Sequence, residues 1–278
     1  MFAVAVPAVA IVVAAAGVER TTSGVTRPAA RLASEVVTSA HVSGTSPGAS
    51  SPKAVTLTAG GVVAPSIAIG STTPPATVTA TWAPLLRATS VFAAPDVHAR
   101  RVARLPVHTI DGTTEIVQVL SRATRGGAVW IRVRYPSRAG TAPGWVQRPD
   151  LGGYVSVDTR IIVSTTRRQL SVVRAGQTIF RAPVGIGTPS NPTPHGQFYV
   201  VDRLAGYDDP TYGPMAFGTS ALSATLTDWP GGGVVGIHGT DQPNLIPGRV
   251  SHGCIRLRND DVLSLGRLVA VGTPITVL

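Results

Sequence analysis

Apolar and polar residues alternate with period two along much of the chain beyond residue 85, a pattern typical of half-buried β-strands. Ile116–Leu120 and Val129–Tyr135 show the alternation upstream. Three short apolar runs follow over residues 160–164, 169–173 and 178–184, with polar turns between them. The pattern therefore predicts a mostly β protein built from short strands.

One stretch near the C-terminus has helical spacing instead. It is predicted to begin at Asn259 as N-cap, with two aspartates in the first turn, and to end at Gly272. The predicted apolar face of this helix comprises Val262, Leu263, Leu265, Leu268 and Val269. The last residues, Thr273–Leu278, are predicted to return as a strand. The mostly β fold thus carries a single C-terminal helix.

The first 85 residues have a different character. Residues 1–18 are uncharged and apolar, which predicts a signal peptide or a membrane anchor, although no basic residue precedes the apolar run. Residues 19–85 are rich in Ser, Thr, Pro and Ala and are predicted to form a disordered tether. Two β domains are predicted to follow, over residues 86–152 and 153–278. The chain is therefore expected to be exported, with cleavage or anchoring of its N-terminus left open.

The positive charge is concentrated in the middle of the chain. Of the formal net charge of +10, residues 86–152 supply +6, from ten basic and four acidic side chains. The aromatic residues and motifs that accompany nucleic-acid binding are not seen here. Anionic cell-wall polymers are the expected partner, and a merely solvated basic face is the alternative.

The chemistry of the chain is expected around Cys254, which is its only cysteine. A thiol with a pKa near ~8.5 needs a base to become a good nucleophile, and imidazole is well suited to that task. His238 and His252 lie in the same Gly- and Pro-rich segment. A loop that folds back between residues 238 and 254 would bring thiol and imidazole together, which predicts cysteine-dependent acyl transfer.

The order of motifs in this region resembles the L,D-transpeptidases with a YkuD-type catalytic domain. His238-Gly239 and Ser251–Arg256, which reads SHGCIR, resemble the signature of that family. Thr193–Phe198, which reads TPHGQF, is similar to its TPxGxF element. The resemblance continues through Asn259–Val262 to Gly272–Ile275.

This resemblance covers residues 154–278 and implies a β-sandwich-like catalytic domain. It further implies that Cys254 forms a thioester with a peptidoglycan tetrapeptide stem, releasing the terminal D-Ala, and that an amine acceptor receives the stem in a 3→3 cross-link. No metal or organic cofactor is implied, and carbapenem β-lactams are expected to acylate Cys254. Upstream, the run Trp130–Val146 more weakly resembles the closing strands of a bacterial SH3-like β-barrel.

The resemblance also implies roles for the residues of the site. Cys254 is the implied nucleophile and His238 its base, with the main-chain carbonyl of Gly239 holding the ring tautomer. Ser251, His252 and Gly253 are expected to form the pocket and the oxyanion site, the backbone N–H groups of Gly253 and Cys254 being the candidate donors. The expected substrate-binding residues are Arg256, Tyr212 and Asn259. Residues 207–229 are expected to form a lid.

Two other functions use the same observations. A secreted zinc hydrolase would use His238, His252 and Cys254 as three metal ligands. A non-catalytic wall-binding protein would depend on the basic residues 86–152 alone. Within the transpeptidase interpretation the acceptor also stays open, because D-amino-acid exchange, carboxypeptidase trimming and attachment of a protein share one acyl-enzyme. The chain is expected to be a monomer that meets the membrane only through its N-terminal segment.

Overall fold

A computed structural model describes residues 79–205, 209–226 and 232–278. These ranges contain nineteen β-strands and one α-helix, so the mostly β prediction with one late helix is confirmed. The predicted signal peptide or anchor over 1–18, and the predicted tether as far as residue 78, lie outside the described residues. No helix in the described ranges has both the length and the apolarity needed to span a membrane.

An upstream sheet of seven strands forms the first part of the described chain, in the order β3-β2-β7-β5-β4-β1-β8. Apolar and polar residues alternate along the middle of β5 and so give this sheet a buried face. Ile131 and Val133 are buried, whereas Arg132 between them points to solvent. The strands of this region are β1 (Ala80–Pro84), β2 (Thr89–Phe92), β3 (Arg101–Leu105), β4 (Ile116–Arg125), β5 (Ala128–Arg134), β6 (Ser137–Arg138), β7 (Gly144–Gln147) and β8 (Val155–Val157).

Two further sheets form the C-terminal part. One has the strand order β11-β10-β9-β19-β13, and the other the order β14-β15-β16-β18-β12-β17, with β6 added beside β15. The elements are β9 (Thr159–Ser164), β10 (Gln169–Arg174), β11 (Gln177–Pro183), β12 (Gly185–Gly187), β13 (Gly196–Tyr199), β14 (Leu204–Ala205), β15 (Met215–Leu222), β16 (Val234–His238), β17 (Gly248–Ser251), β18 (Ile255–Arg256), α1 (Asn259–Gly266) and β19 (Pro274–Val277).

A single apolar cluster joins these two sheets and α1. Ile161 and Leu170 enter it from one sheet, Phe217 and Ile237 from the other, and Leu265 from the helix. Each of these side chains is almost completely buried. Burial of apolar area on this scale is the main favourable term of folding, so the cluster holds β16 and β18 in place.

The helix is shorter than predicted and begins differently. Arg258 occupies the N-cap position without a side-chain cap, and Asn259 is the first helical residue. The helix ends at Gly266 and not at Gly272, because the N–H of Leu268 donates to the carbonyl of Leu265 three residues earlier (2.9 Å) and tightens the last turn. The chain then turns so that Val269 enters the apolar cluster.

The tether predicted to reach residue 85 must end earlier. Residues 80–84 form β1, which lies between β4 and β8 in the upstream sheet. Ala83 is completely buried and Leu85 almost so. This strand was not predicted because the surrounding sequence is rich in Ser, Thr and Pro. Its few apolar residues are buried against partners that are distant in sequence.

The upstream sheet contacts the C-terminal sheets directly. The hydroxyl of the buried Tyr199 donates to the carbonyl oxygen of Ile116 (2.9 Å), and both residues belong to an apolar cluster with Val201. Trp82 packs onto Gly272, where no Cβ would fit. The described ranges 79–205, 209–226 and 232–278 therefore belong to one compact unit. The SH3-like character of residues 86–152 stays a prediction.

Candidate active site

The site is built on two neighbouring parallel strands. β16 ends at His238, and β18 begins directly after Cys254. The strands pair in parallel with Ile237 opposite Ile255 and His238 opposite Arg256. A crossover that includes a short 3-10 turn at Pro243–Leu245 and β17 connects them. The chain thus folds back between residues 238 and 254, as the sequence predicted.

Cys254 is half-buried, and its sulfur lies against the backbone of β16. The N–H of Gly236 donates a hydrogen bond to Sγ (3.3 Å). A Cβ placed on Gly236 would lie 4.0 Å from Sγ and 3.8 Å from Cδ2 of His238. The thiol and the imidazole edge that carries Nε2 therefore both lie over the same glycine.

His238 is buried, and its tautomer follows from its hydrogen bond. Nδ1 lies 2.7 Å from the carbonyl oxygen of Gly239. Because a carbonyl oxygen only accepts, Nδ1 carries the proton, and Nε2 has the free lone pair that a base needs. The ring of Tyr212 lies on the imidazole, with centroids 5.0 Å apart and the ring planes at 57°.

Burial keeps both groups neutral at rest. It lowers the pKa of His238 to about 4, an effect that the Gly239 carbonyl opposes and that the positive charge of Arg256 reinforces. Burial raises the pKa of Cys254, while the N–H of Gly236 and the charge of Arg256 act in the opposite direction. At neutral pH the resting site therefore holds a thiol beside a neutral imidazole and not a preformed thiolate–imidazolium pair.

The turn before the cysteine is braced by Ser251. The Ser251 hydroxyl accepts from the N–H of Gly253 (3.1 Å) and donates to the carbonyl oxygen of Cys254 (2.6 Å). Gly253 has φ +120°, a conformation that residues with a side chain rarely adopt. Since the Gly253 N–H is bonded to Ser251, the Cys254 N–H is the better placed of the two predicted oxyanion donors.

Arg256 lies on β18 and lines the same cavity as Cys254. Its Nε is buried and has no hydrogen-bond partner among the described residues. Among the described residues no ion pair joins Arg256 to Asp260 or Asp261 in the first turn of α1. The guanidinium is therefore able to bind a carboxylate in the cavity.

A cavity of about 230 Å³ opens over the thiol. His252 is exposed at this cavity, and four residues of the predicted lid contribute to its wall: Thr211, Tyr212, Ser223 and Leu226. Residues 207–208 and 227–229 of the predicted lid lie outside the described residues. The cavity is lined by Thr211, Tyr212, Ser223, Leu226, Gly233, Val234, Val235, His238, Ser251, His252, Cys254 and Arg256.

Asn259 is not among the residues that line the cavity. Its Oδ1 accepts from the N–H of Thr240 (2.9 Å), two residues beyond His238. Asn259 thus holds the chain that supplies the carbonyl partner of His238, a different place from the expected substrate contact.

Sequence reasoning missed two residues of the site, Gly236 and Thr193. Gly236 lies under the sulfur, and Thr193 donates to the carbonyl of Gly253 (2.8 Å). Thr193 belongs to the TPHGQF motif, so its place in that motif was the available signal. Nothing in the sequence distinguished Gly236 from its neighbouring glycines.

The donor set does not fit a zinc site. Among the described residues, no three His, Cys, Asp or Glu side chains form a group that could hold a metal ion. The cavity that His238, His252 and Cys254 line also contains the cation Arg256. A positive side chain beside the ligands opposes the binding of a second cation.

The part of the chain that carries this site is similar to known proteins. The family model of the L,D-transpeptidase catalytic domain, YkuD, matches residues 158–277. The chain is 33% identical over 135 residues to a protein of Bacillus licheniformis named as the L,D-transpeptidase YkuD, covering 49% of this chain and 71% of that protein. It is 31% identical over 129 residues to the protein of that name in Bacillus subtilis, covering 46% and 71%.

Among solved structures, the chain is similar to the catalytic domain of an E. faecium L,D-transpeptidase, with 28% sequence identity and a TM-score of 0.33. The match covers 44% of this chain and 97% of that chain. The matched region of the sequence contains Cys254, His238 and the strands that carry them. By its catalytic-domain match and its relatives, the chain belongs to the L,D-transpeptidase family.

Proposed function

We propose that this protein is a peptidoglycan L,D-transpeptidase in which Cys254 is the nucleophile and His238 the base. The observation that carries the proposal is the placement of Sγ and the imidazole over Gly236, in one cavity, with the Nδ1–H of His238 bonded to the Gly239 carbonyl. This bond leaves Nε2 as the acceptor for the thiol proton.

In the first half-reaction Sγ attacks the carbonyl carbon of the penultimate residue of a tetrapeptide stem. The thiol proton passes to Nε2 of His238 as the S–C bond forms, and the negative charge develops on the carbonyl oxygen. The N–H of Cys254 is the proposed donor to that oxygen. When the C–N bond breaks, His238 returns the proton to the leaving amine, and D-Ala departs from a thioester.

The second half-reaction reverses the roles. A side-chain amine of a neighbouring stem attacks the thioester carbonyl and loses a proton to His238, while the C–S bond breaks and Cys254 takes the proton back. The product is an amide that joins two third-position residues, a 3→3 cross-link. Water, a D-amino acid or a protein amine in place of that acceptor gives hydrolysis, exchange or protein attachment from the same intermediate.

The mechanism starts from the neutral forms of the Cys254 thiol and the His238 imidazole. With the pKa of His238 lowered to about 4 and that of Cys254 raised, the reaction starts from a neutral imidazole and a neutral thiol. A neutral thiol is less reactive toward oxidants than a thiolate, which suits an enzyme that works outside the cytoplasm. Export to the cell-wall space is part of the proposal, since the substrate lies there.

Arg256 and Tyr212 are the proposed substrate-binding residues, and His252 helps to shape the cavity. Arg256 presents a buried guanidinium nitrogen without a partner among the described residues, and the stem peptide supplies carboxylates. Tyr212 covers His238 and lines the cavity, so it excludes water from the base as substrate binds.

The test is incubation of the full chain with purified tetrapeptide muropeptides, followed by mass spectrometry of the products and of the intact protein. We expect release of D-Ala, a dimeric product, and an acyl adduct that a Cys254→Ala variant does not form. A carbapenem should give an adduct with the same dependence on Cys254. Product formation by Cys254→Ala, or an unmodified wild-type protein, would overturn the cysteine mechanism.

The basic upstream sheet is proposed to hold the enzyme on anionic wall polymers. Arg101, Arg104 and Arg132 are exposed there, and no ion pair to them is found among the described residues. Binding to isolated sacculi should therefore weaken with salt and with the triple change of these residues to Gln. The matched control changes the exposed Arg160, Arg167 and Arg181. Equal binding by both triple variants would contradict the proposal.

A further inference from the structure

Thr193 makes two hydrogen bonds behind the active-site turn. It lies in the loop between β12 and β13, and its side chain is 3% exposed. The Thr193 hydroxyl accepts from the N–H of Gly187 (2.9 Å) and donates to the carbonyl oxygen of Gly253 (2.8 Å). The hydroxyl therefore acts both as a donor and as an acceptor, and these two bonds fix its orientation.

The carbonyl of Gly253 belongs to the same peptide unit as the N–H of Cys254. Because a peptide unit is planar, holding its oxygen also sets the direction of its N–H, which points the opposite way. Gly253 has φ +120° and no Cβ, so its backbone alone restricts the rotation of this peptide little. A hydrogen bond to the carbonyl supplies the missing restraint.

Ser251 restrains the groups on either side of that peptide. It accepts from the N–H of Gly253 and donates to the carbonyl of Cys254. Neither Ser251 nor Thr193 takes the Cys254 N–H as a partner. Between them, the two hydroxyls hold the turn around the one N–H that the proposed mechanism needs for the developing oxyanion.

Thr193 is itself rigidly mounted. Pro192 and Pro194 flank it and restrict the backbone. A Cβ on Gly187 would collide with the backbone at Asn191, so the loop lies directly on β12. β12 in turn pairs with β18 through Gly185 and Arg256. Thr193 does not line the cavity, and so it acts without touching the substrate.

We propose that Thr193 is a positioning residue that aims the backbone N–H of Cys254 at the oxyanion formed during acylation. The inference rests on the proposed function, since it assumes attack of Cys254 on a carbonyl. It assigns Thr193 no part in generating or carrying the nucleophile. The two reactivities of the same sulfur, toward carbonyl carbon and toward alkyl carbon, therefore separate this role from a general structural one.

The experiment compares acylation by a carbapenem with alkylation by iodoacetamide in full-length wild type, Thr193→Val and Thr193→Ser. Alkylation displaces iodide from a saturated carbon and develops no oxyanion. In Thr193→Val, which keeps the shape but not the hydroxyl, we expect acylation to slow about ten- to a hundredfold, by analogy with loss or misplacement of an oxyanion donor. Its alkylation rate and pH profile should stay within about twofold of wild type.

Thr193→Ser retains the hydroxyl and should recover most of the acylation rate. A parallel fall of both reactions in Thr193→Val, or acylation unchanged by it, would overturn the proposal. If Thr193→Val does not fold, as judged by circular dichroism, Thr193→Ala takes its place in the same comparison. Failure of the proposed function looks different, because wild type would then be alkylated but not acylated.

Discussion

The chemistry of the site depends on residues whose ordinary properties are changed by their surroundings. His238 is an unremarkable imidazole until burial disfavours its charged form, and Cys254 is an ordinary thiol until burial disfavours the thiolate. Arg256 acts on both, because its positive charge favours the thiolate and disfavours the imidazolium. One side chain thus lowers the pKa values of both the imidazole and the thiol.

Replacing Arg256 with Gln should move the pH dependence of acylation. Without that positive charge the pKa of His238 rises from about 4, so the acid limb of kcat/KM moves to higher pH, and the pKa of Cys254 rises further. Loss of a charged hydrogen-bond donor should also raise KM about tenfold or more. The exposed Arg249, changed to Gln, is the matched control. An acid limb that does not move would contradict this account of Arg256.

A methyl group added at Gly236 should leave the fold stable but slow acylation. The added Cβ would make ordinary contacts with both groups, at 4.0 Å from Sγ and 3.8 Å from Cδ2 of the imidazole. We expect Gly236→Ala to change the free energy of unfolding by less than about 1 kcal/mol and to slow acylation at least tenfold. Gly153, which has open space around it, provides the Gly→Ala control. Acylation as fast as in wild type would refute this view of the site.

At the scale of elements, the pairing of β16 with β18 brings the imidazole of His238 and the thiol of Cys254 into one site, and α1 secures the loop between the two strands. The N–H of Leu257 donates to the carbonyl of His238 (2.8 Å), which extends the pairing of the two strands. Asn259, at the start of α1, bonds to the N–H of Thr240 and not to its own helix. The start of the helix therefore orients the histidine.

Asn259→Ala should affect catalysis more than helix stability. The substitution removes the acceptor for the Thr240 N–H and loosens the carbonyl that holds His238, so we expect acylation to slow about fivefold, the equivalent of one ordinary hydrogen bond. Asn259→Asp keeps the acceptor and should stay near wild type. Asn244→Ala, at an exposed position in the crossover, is the control, with thermal unfolding measured in parallel. A loss of stability with normal acylation would instead indicate a capping role.

At the scale of the whole molecule, the upstream sheet is part of the fold of the enzyme and not a loosely tethered module. β6 adds to the edge of the sheet that contains β15, and Tyr199 bonds across to Ile116. The buried Glu115 and Asp202 lie at this junction, where Thr113 donates to Asp202 (3.1 Å). We therefore expect residues 79–278 to unfold in one cooperative transition.

Glu115 should make this junction sensitive to pH. Burial, and then the charge of Asp202, raise the pKa of Glu115 to about 7, against 4.5 as its ordinary value. Between these values the folded chain binds more protons than the unfolded chain. The contribution of Glu115 to stability is therefore full below pH 4.5 and is lost as the pH rises through 7. The loss corresponds to roughly 3 kcal/mol.

Glu115→Gln removes the titration, so it should be more stable than wild type at pH 8 and no more stable at pH 4.5. Urea unfolding of both proteins at each pH measures this difference. Taking the difference cancels the opposite slope from His238, whose lowered pKa costs stability as the pH falls from 6.5 towards 4. Asp241→Asn, at an exposed position, is the control. A difference that does not depend on pH would disprove the role of Glu115.

Local patterns in the sequence were enough for the strands, for the existence of α1 and for the motif around Cys254. Alternation, turn residues and a lone cysteine beside histidines are properties of neighbouring residues, and they survive in a single sequence. The same patterns misplaced both ends of the helix and the end of the tether. Those boundaries depend on contacts with distant parts of the chain, such as the burial of Val269 and Ala83.

Only the tertiary structure decided which groups meet at the sulfur. Gly236 lies eighteen residues before Cys254 and Thr193 sixty before Gly253, and no local pattern connects such positions. The protonation states were decided there too, because burial by the whole fold, and not the identity of the residues, moves the pKa values of thiol and imidazole. Periodicity reports on neighbours along the chain, whereas desolvation and hydrogen bonding depend on what the folded chain brings into contact.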